Sequence, residues 1–241
     1  MRQGVILRMC NGTLWRVARR SLLILLLPVG LAACATTSPV QVTSTALNPA
    51  PVTAEQASRY AALNDEPFPV PAVTLEDLKP RYMRRLVDNP TGQPPGTIVV
   101  DPAHRFLYLV QEGGKALRYG VGVGKAGMAW SGTANVATKR EWPRWTPTQD
   151  MIRREPDKYV KWAGGMNGGE GNPLGARALY LFENGKDTLY RIHGTNEPSS
   201  IGQAMSSGCI RMMNQDVIDL YRRVPAGTKV VVLPVGPGAG T

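Results

Sequence analysis

The chain has 241 residues, of which 43% are hydrophobic, and a formal net charge of +10, a composition that suits an ordinary globular domain. Its basic residues form no stripe with interleaved aromatic side chains, so we do not expect nucleic acid as a partner. Three cysteines and two histidines show no paired-ligand spacing, so neither a metal site nor a cofactor is expected.

The first 33 residues are predicted to be a bacterial lipoprotein signal peptide. An arginine-rich start without acids precedes an apolar run at 21–31, which is too short for an ordinary membrane-spanning helix. Small residues then lead into Cys34, which we expect to become the lipid-modified first residue and to anchor the chain to a membrane. The alternative is a plain secretory signal with an incidental cysteine. Removal of the segment takes five arginines with it and leaves a charge nearer +5.

The predicted location is the periplasmic face of the cell envelope. Ala35 follows Cys34 where an Asp would favour retention in the inner membrane, so resemblance to Gram-negative lipoproteins favours the outer membrane. Residues 34–94 are predicted to be the lipidated N-terminus and a linker rich in Ala, Pro and Thr, because the stretch up to about residue 72 lacks the apolar residues needed for order. A short helix is expected within 74–88, interrupted at Pro80.

A mainly β domain with one or two short helices is predicted over 95–235, with a flexible tail at 236–241. Glycine-containing turns at 112–114 and 184–185 predict two hairpins. One helix is expected to begin with Asn214 as its cap, to carry Asp216 in its first turn and to stop at Pro225. Short β-branched or aromatic runs predict strands at 97–100, 105–110, 115–123, 133–139, 178–182, 188–193 and 228–233.

His193 and Cys209 are the candidate reactive residues. His193 ends a predicted strand in which Tyr190 and Ile192 face the core, and Cys209 follows sixteen positions later in a tight turn. If Cys34 carries lipid, Cys209 has no disulfide partner, and a free thiol in an oxidising compartment is readily oxidised. Chemistry explains such a thiol better than packing does, although a buried structural cysteine is the alternative. Arg211 would share the side of the thiol, lower its pKa and bind a substrate carboxylate.

The stretch HGTNEPSSIGQAMSSGCIRM, from His193 to Met212, resembles the signature of the YkuD-type L,D-transpeptidase catalytic domain. The resemblance runs over about residues 95–234 and includes GTIVVD and NPLGARALYL. It implies a β-sandwich-like domain, with Cys209 as nucleophile, His193 as proton acceptor and donor, and the Gly194 carbonyl orienting the imidazole. Ser207 departs from the family pattern, which has histidine there.

The resemblance also implies acyl transfer on peptidoglycan stem tetrapeptides. Backbone amides of Ser207, Gly208 and Cys209 would stabilise the oxyanion, while Arg211, Thr195 and Tyr190 would bind substrate. A Cys209 thioester formed with loss of the terminal D-alanine would pass to a stem amine, giving a 3–3 cross-link, or to a protein, which would become attached to the wall. The alternatives are a hydrolytic relative, acting as L,D-carboxypeptidase or endopeptidase, and a non-catalytic wall-binding module.

Three other features of the sequence have both a functional and a structural interpretation. The glycines of 120–125 suggest a phosphate loop, but Tyr119 and Ala126 occupy required positions, so they are read as strand and turn residues. His104 follows a probable turn and is expected to face solvent. Four of the five tryptophans fall within 130–162; they either pack beneath a long loop or form a flap over the cleft, with the glycine-rich stretch 164–175 as its mobile part.

Overall fold

A computed structural model describes residues 52–74, 76–125, 130–206 and 208–235. The predicted signal peptide, Cys34, Ser207 and the predicted tail therefore lie outside the described residues. Within the described ranges, no helix combines the length and apolar character needed to cross a membrane.

The described residues are mainly β, as predicted. Nine strands make one sheet, in the order β1-β4-β3-β2-β11-β6-β7-β8-β10, and the short strands β5 and β9 pair separately. The strands are β1 Arg85–Asp88, β2 Ile98–Asp101, β3 Phe106–Val110, β4 Lys115–Gly120, β5 Val123–Gly124, β6 Gly132–Glu141, β7 Arg177–Glu183, β8 Lys186–His193, β9 Ala204–Ser206, β10 Ile210–Arg211 and β11 Lys229–Val232.

Both faces of the central strands are buried. On β2, Ile98 and Val100 join the main core, whereas Val99 packs on the opposite face with Phe106 and Tyr108 of β3. Because side chains alternate along a strand, a continuous apolar run requires cover on both sides. The main core also receives α4, and residues around Tyr82 and Val87 cover the other face.

The described residues contain four short α-helices, where one or two were expected. α4 carries the apolar face predicted from the sequence, but Asn214 is its first residue rather than its cap. The Asn214 side chain instead accepts a hydrogen bond from the Ala176 amide and donates one to the Thr195 carbonyl. The helices are α1 Ala54–Ser58, α2 Gln149–Arg154, α3 Pro156–Tyr159 and α4 Asn214–Arg223.

The segment before residue 73 was predicted to be an unordered linker, and for residues 52–72 that prediction is wrong. Tyr60 and Val70 are each only 1% exposed. Glu66 forms a buried ion pair with Arg177 at the start of β7 and accepts a hydrogen bond from Trp142. A few well-placed side chains dock this segment, although its average composition is polar and small.

The helix predicted within 74–88 is also absent from the described part of that range. Pro80–Tyr82 forms a single 3₁₀ turn, and Arg85–Asp88 forms β1, which pairs antiparallel with β4. The open edge of the sheet supplies hydrogen-bond partners that outweigh a weak helical propensity.

Candidate active site

The reactive residues lie where β8 and β10 run side by side. The two strands are parallel, with Ile210 opposite Ile192 and Arg211 opposite His193. The Met212 amide donates to the His193 carbonyl over 2.8 Å, which extends the pairing. Cys209 immediately precedes β10, its Sγ lies 4.0 Å from the Leu189 carbonyl oxygen, and its thiol and the His193 imidazole line the same cleft.

The alternation predicted for the core face of β8 is confirmed, because Ile192 lies in the main core and Tyr190 packs against it, whereas Leu189 is exposed. Leu189 has φ +63° and is exposed, and the pairing of β7 with β8 shifts register between Tyr180 and Phe182. Beyond this bulge Ile192 is fully buried in the core, as predicted. A bulge bends its strand and changes the direction of the side chains that follow, and His193 is one of these.

The backbone after β8 positions the His193 ring. Its Nδ1 lies 2.6 Å from the Gly194 carbonyl oxygen, the contact that the resemblance implied. The Gly194 amide in turn donates to the Arg177 carbonyl. A Cβ at Gly194 or at Gly175 would collide with Oδ1 of Asn214, so these two glycines make room for the asparagine that joins the 175–176 and 194–195 segments.

His193 is buried, and burial lowers its pKa to about 4. The positive charges of Arg211 and Arg191 push in the same direction, whereas the Gly194 and Leu174 carbonyls favour the protonated ring and oppose the shift. The imidazole is therefore neutral at pH 7 and able to accept a proton.

Burial raises the pKa of the Cys209 thiol. The Arg191 amide and the charges of Arg191 and Arg211 lower it, as expected for Arg211, but their sum is smaller than the effect of burial. Arg211 therefore lowers the thiol pKa as predicted, although the net shift is upward, and at neutral pH both the thiol and the imidazole are uncharged. Gly208 has φ +124°, a conformation that favours glycine before the thiol; the oxyanion role of this turn stays a prediction.

Cys209, His193 and Arg211 open into one cleft of about 370 Å³. Much of the rest of its lining comes from the segment 145–166, which contains α2 and α3, and we call this segment the flap. Of the four tryptophans, Trp145 and Trp162 line the cleft as the flap interpretation predicts, whereas Trp142 is buried in a core cluster and Trp130 packs against the main core, as the packing alternative predicts. The other lining residues are Trp145, Met151, Lys158, Tyr159, Lys161, Trp162, Met166, Gly171, Pro173, Leu174, Asn196 and Glu197.

Two of the three predicted substrate-binding residues lie elsewhere. Thr195 is buried beside a separate, smaller pocket, and its hydroxyl accepts a hydrogen bond from the Glu197 amide. The Tyr190 ring stacks on Trp130 with centroids 5.7 Å apart and does not line the cleft. Arg211 does line it, but its guanidinium already holds Glu197, with Nη1 3.0 Å from Oε2.

Sequence reasoning missed Glu197 and the two lysines of the flap, since nothing local marks an exposed charge as facing a cleft. His104 is exposed, as predicted, and its ring contacts Asp101. Nowhere in the described ranges do three or more His, Cys, Asp or Glu side chains gather as a metal site would require.

Comparisons with known proteins cover the part of the chain that contains His193, Cys209 and Arg211. The model of the L,D-transpeptidase catalytic domain, YkuD, matches residues 95–232. "Probable L,D-transpeptidase ErfK/SrfK" of Escherichia coli K12 is 35% identical over 141 residues, which are 56% of this chain and 43% of that protein. "Probable L,D-transpeptidase YbiS" of the same organism is 34% identical over 138 residues, 55% and 43% of the two chains.

One solved structure bears a different name. A crystal structure from Brucella melitensis, called a probable carnitine operon oxidoreductase, is 54% identical and covers 65% of this chain and 96% of that one, with a TM-score of 0.45. A likeness with so low a TM-score carries no argument about function.

The chain spans less than half the length of the two curated relatives. Since the domain match alone runs over more than half of its residues, this protein belongs to the YkuD family of L,D-transpeptidase catalytic domains.

Proposed function

We propose that this protein is a peptidoglycan L,D-transpeptidase, an acyltransferase that uses Cys209 as nucleophile on stem tetrapeptides. The observation that carries the proposal is the shared cleft of Cys209 and a neutral His193 whose Nδ1 contacts the Gly194 carbonyl. This is the arrangement in which an imidazole takes a proton from a thiol as the thiol attacks.

In the first half of the reaction, Sγ of Cys209 forms a bond to the carbonyl carbon at the L-centre of a diamino acid. The thiol proton passes to Nε2 of His193, and from there to the nitrogen of the departing D-alanine as the C–N bond breaks. Cys209 is left as a thioester and His193 is neutral again. Amides of the 207–209 turn would hold the oxyanion.

In the second half, an amine attacks the thioester carbonyl and gives its proton to His193, which returns it to the departing sulfur. A stem-peptide amine yields a 3–3 cross-link, and a protein amine yields a wall-anchored protein. Water would yield hydrolysis instead. The apolar flap residues Trp145, Tyr159 and Trp162 support transfer over hydrolysis, because excluding water protects a thioester.

We further propose that the chain acts at the periplasmic face of the envelope, anchored through a lipid on Cys34 and with the outer membrane favoured. The acid-free, arginine-rich N-terminus and the residues before Cys34 support this location.

The test is incubation of the purified full chain with sacculi, followed by mass spectrometry of the muropeptides. New cross-links between diamino acids, together with a thioester adduct on Cys209, are expected. Released D-alanine or trimmed monomers alone would point to the hydrolytic alternative, and unchanged sacculi to a binding module.

Two variants assign the residues in this assay. Cys209→Ala should abolish turnover with the fold intact, and His193→Gln should sharply slow acylation, whereas His104→Gln removes an exposed histidine and should change neither. Normal activity in Cys209→Ala, or an unchanged acylation rate in His193→Gln, would contradict the assigned roles.

A further inference from the structure

Glu197 is the one acid among the described residues that line the cleft. Its carboxylate lies 3.0 Å from Nη1 of Arg211, whose side chain is 21% exposed against 58% for Glu197. The remaining charges of the wall are cationic, namely Lys158 and Lys161 on the flap. The cleft therefore presents one acid and one arginine side by side, on a background of positive charge.

The backbone of Glu197 is fixed although its side chain is exposed. Its amide donates to Oγ1 of Thr195, and its carbonyl accepts from both the amide and the hydroxyl of Ser200. Thr195 and Ser200 are themselves buried. A carboxylate on so firmly held a backbone is presented to the cleft at a defined position, unlike that of an ordinary surface glutamate.

Glu197 also lies within electrostatic reach of the flap. The pKa of Lys158 is raised, mainly by its contact with Tyr159 and to a smaller extent by Glu155 and Glu197. Glu197 therefore interacts with two cations of the cleft, directly with the guanidinium of Arg211 and electrostatically with the ammonium of Lys158.

We propose that Glu197 and Arg211 together recognise a zwitterionic amino-acid end group on the acyl donor. When a group with adjacent ammonium and carboxylate binds, the ion pair between Arg211 and Glu197 is replaced by two ion pairs with the ligand. The ligand carboxylate pairs with Arg211, and the ligand ammonium pairs with Glu197. Every charge stays paired as solvent is excluded, which limits the desolvation cost. A ligand with only an amine would pair with Glu197 and leave Arg211 without a partner. A ligand with only a carboxylate would pair with Arg211 and leave Glu197 without one. This rests on the proposed function, in which the far end of the diamino acid is such a zwitterion.

The experiment measures equilibrium binding of synthetic stem tetrapeptides to the full-length Cys209→Ala protein, so that no turnover intervenes. Three donors are compared: the free diaminopimelate side chain, the same side chain with its amine acetylated, and the same side chain with its carboxylate amidated. Either cap should weaken binding by about fivefold, the upper range for a partly exposed ion pair. Equal affinities for the three peptides would overturn the proposal.

Variants in the Cys209→Ala protein separate the two partners. Glu197→Gln should abolish the penalty for acetylating the amine and keep the penalty for amidating the carboxylate, and Arg211→Gln should do the reverse. Glu183→Gln, an exposed acid at the end of β7 outside the cleft, should keep both penalties. If Glu197→Gln keeps the amine penalty at its full value, Glu197 is only a surface ion-pair partner of Arg211.

A separate measurement keeps the proposed chemistry distinct from this recognition. Wild-type protein and the free peptide are examined for a thioester adduct by mass spectrometry. Absence of the adduct together with the expected binding pattern would contradict the transpeptidase proposal and leave the recognition intact. Presence of the adduct together with equal binding of the three peptides would support the transpeptidase proposal and contradict the recognition by Glu197 and Arg211.

Discussion

Nδ1 of His193 lies 2.6 Å from the carbonyl oxygen of Gly194, the next residue in the chain. A carbonyl oxygen only accepts, so Nδ1 carries the hydrogen and Nε2 keeps a lone pair. The backbone thereby sets the tautomer that a general base needs, a task that other thiol enzymes give to an Asp or Asn side chain. The base and its orienting group are consequently a single dipeptide.

The pH dependence of acylation tests the neutral pair. Because burial lowers the pKa of His193 to about 4, roughly nine-tenths of the imidazole is still neutral one unit higher, at pH 5. We therefore expect kcat/KM for acylation to be flat from about pH 5 to neutrality and to fall only toward pH 4. A preformed thiolate–imidazolium pair would instead give a bell-shaped profile of kcat/KM against pH, with its acid limb near the pKa of the thiol.

Alkylation by iodoacetamide checks the other partner of the pair. Burial raises the pKa of Cys209, so the thiolate fraction, and with it the alkylation rate, should still be rising at pH 9. A plateau below pH 8 would mean that the thiolate exists before substrate arrives.

Substitution of the two nearby arginines should raise the pKa of His193 in a defined order. Both positive charges lower it, and Arg211 contributes more than Arg191. Arg211→Gln should therefore move the acid limb of the acylation profile to higher pH, and Arg191→Gln should move it less. Nitrogen NMR titration measures the same pKa without turnover, and His104→Gln assigns the two ring signals. The reverse order, or no shift in Arg211→Gln, would refute the electrostatic account.

Much of the site was predictable because its information is local. A rare histidine at a strand end and a rare cysteine in a glycine turn mark the reactive pair, and alternating apolar residues mark the strands that carry it. The structure adds the parallel register that sets Arg211 opposite His193. That register depends on pairing between distant segments, which no local pattern contains.

The errors share one physical origin, which is tertiary contact outweighing local preference. Asn214 has the residue type of a helix cap, yet its side chain bonds two segments of the site. The residues of β1 have a helical pattern, yet β4 offers them an edge. The effect of Arg211 on the thiol pKa was predicted in its direction, but the larger, opposite effect of burial cannot be read from neighbours in sequence.

Asn214 is expected to position His193 through the segment that follows it. Asn214→Ala leaves the Ala176 amide and the Thr195 carbonyl without their partner, which should lower the free energy of unfolding by about 1–3 kcal/mol. Loss of the bond to Thr195 should also loosen the Gly194 carbonyl and admit the other imidazole tautomer. Nitrogen NMR of His193 detects that mixture directly.

A comparison variant separates positioning from stability. Gln215 is the next residue of α4, and its side chain bonds carbonyls of the docked N-terminal segment rather than the site. Gln215→Ala should therefore destabilise the protein while His193 keeps a single tautomer. If Asn214→Ala and Gln215→Ala leave the His193 spectrum equally unchanged, Asn214 contributes to stability alone.

Glu66 should contribute most of the anchoring of the N-terminal segment. Its carboxylate accepts two bonds from Nη2 of Arg177 and one from Nε1 of Trp142, and its side chain is only 4% exposed. Glu66→Gln removes the buried charged partner of Arg177 and leaves it the exposed Glu141, whose Oε1 lies 3.9 Å from Nε, so the free energy of unfolding should fall by about 3 kcal/mol, the lower end for a broken buried pair. Urea unfolding measures the change. The matched variant Glu55→Gln removes an acid that is 80% exposed in its pair with Arg59 and should cost about 0.5 kcal/mol or less. Equal small losses in the two variants would mean that residues 52–72 are not docked in solution and that Trp142 lacks the hydrogen bond that Glu66 accepts from it.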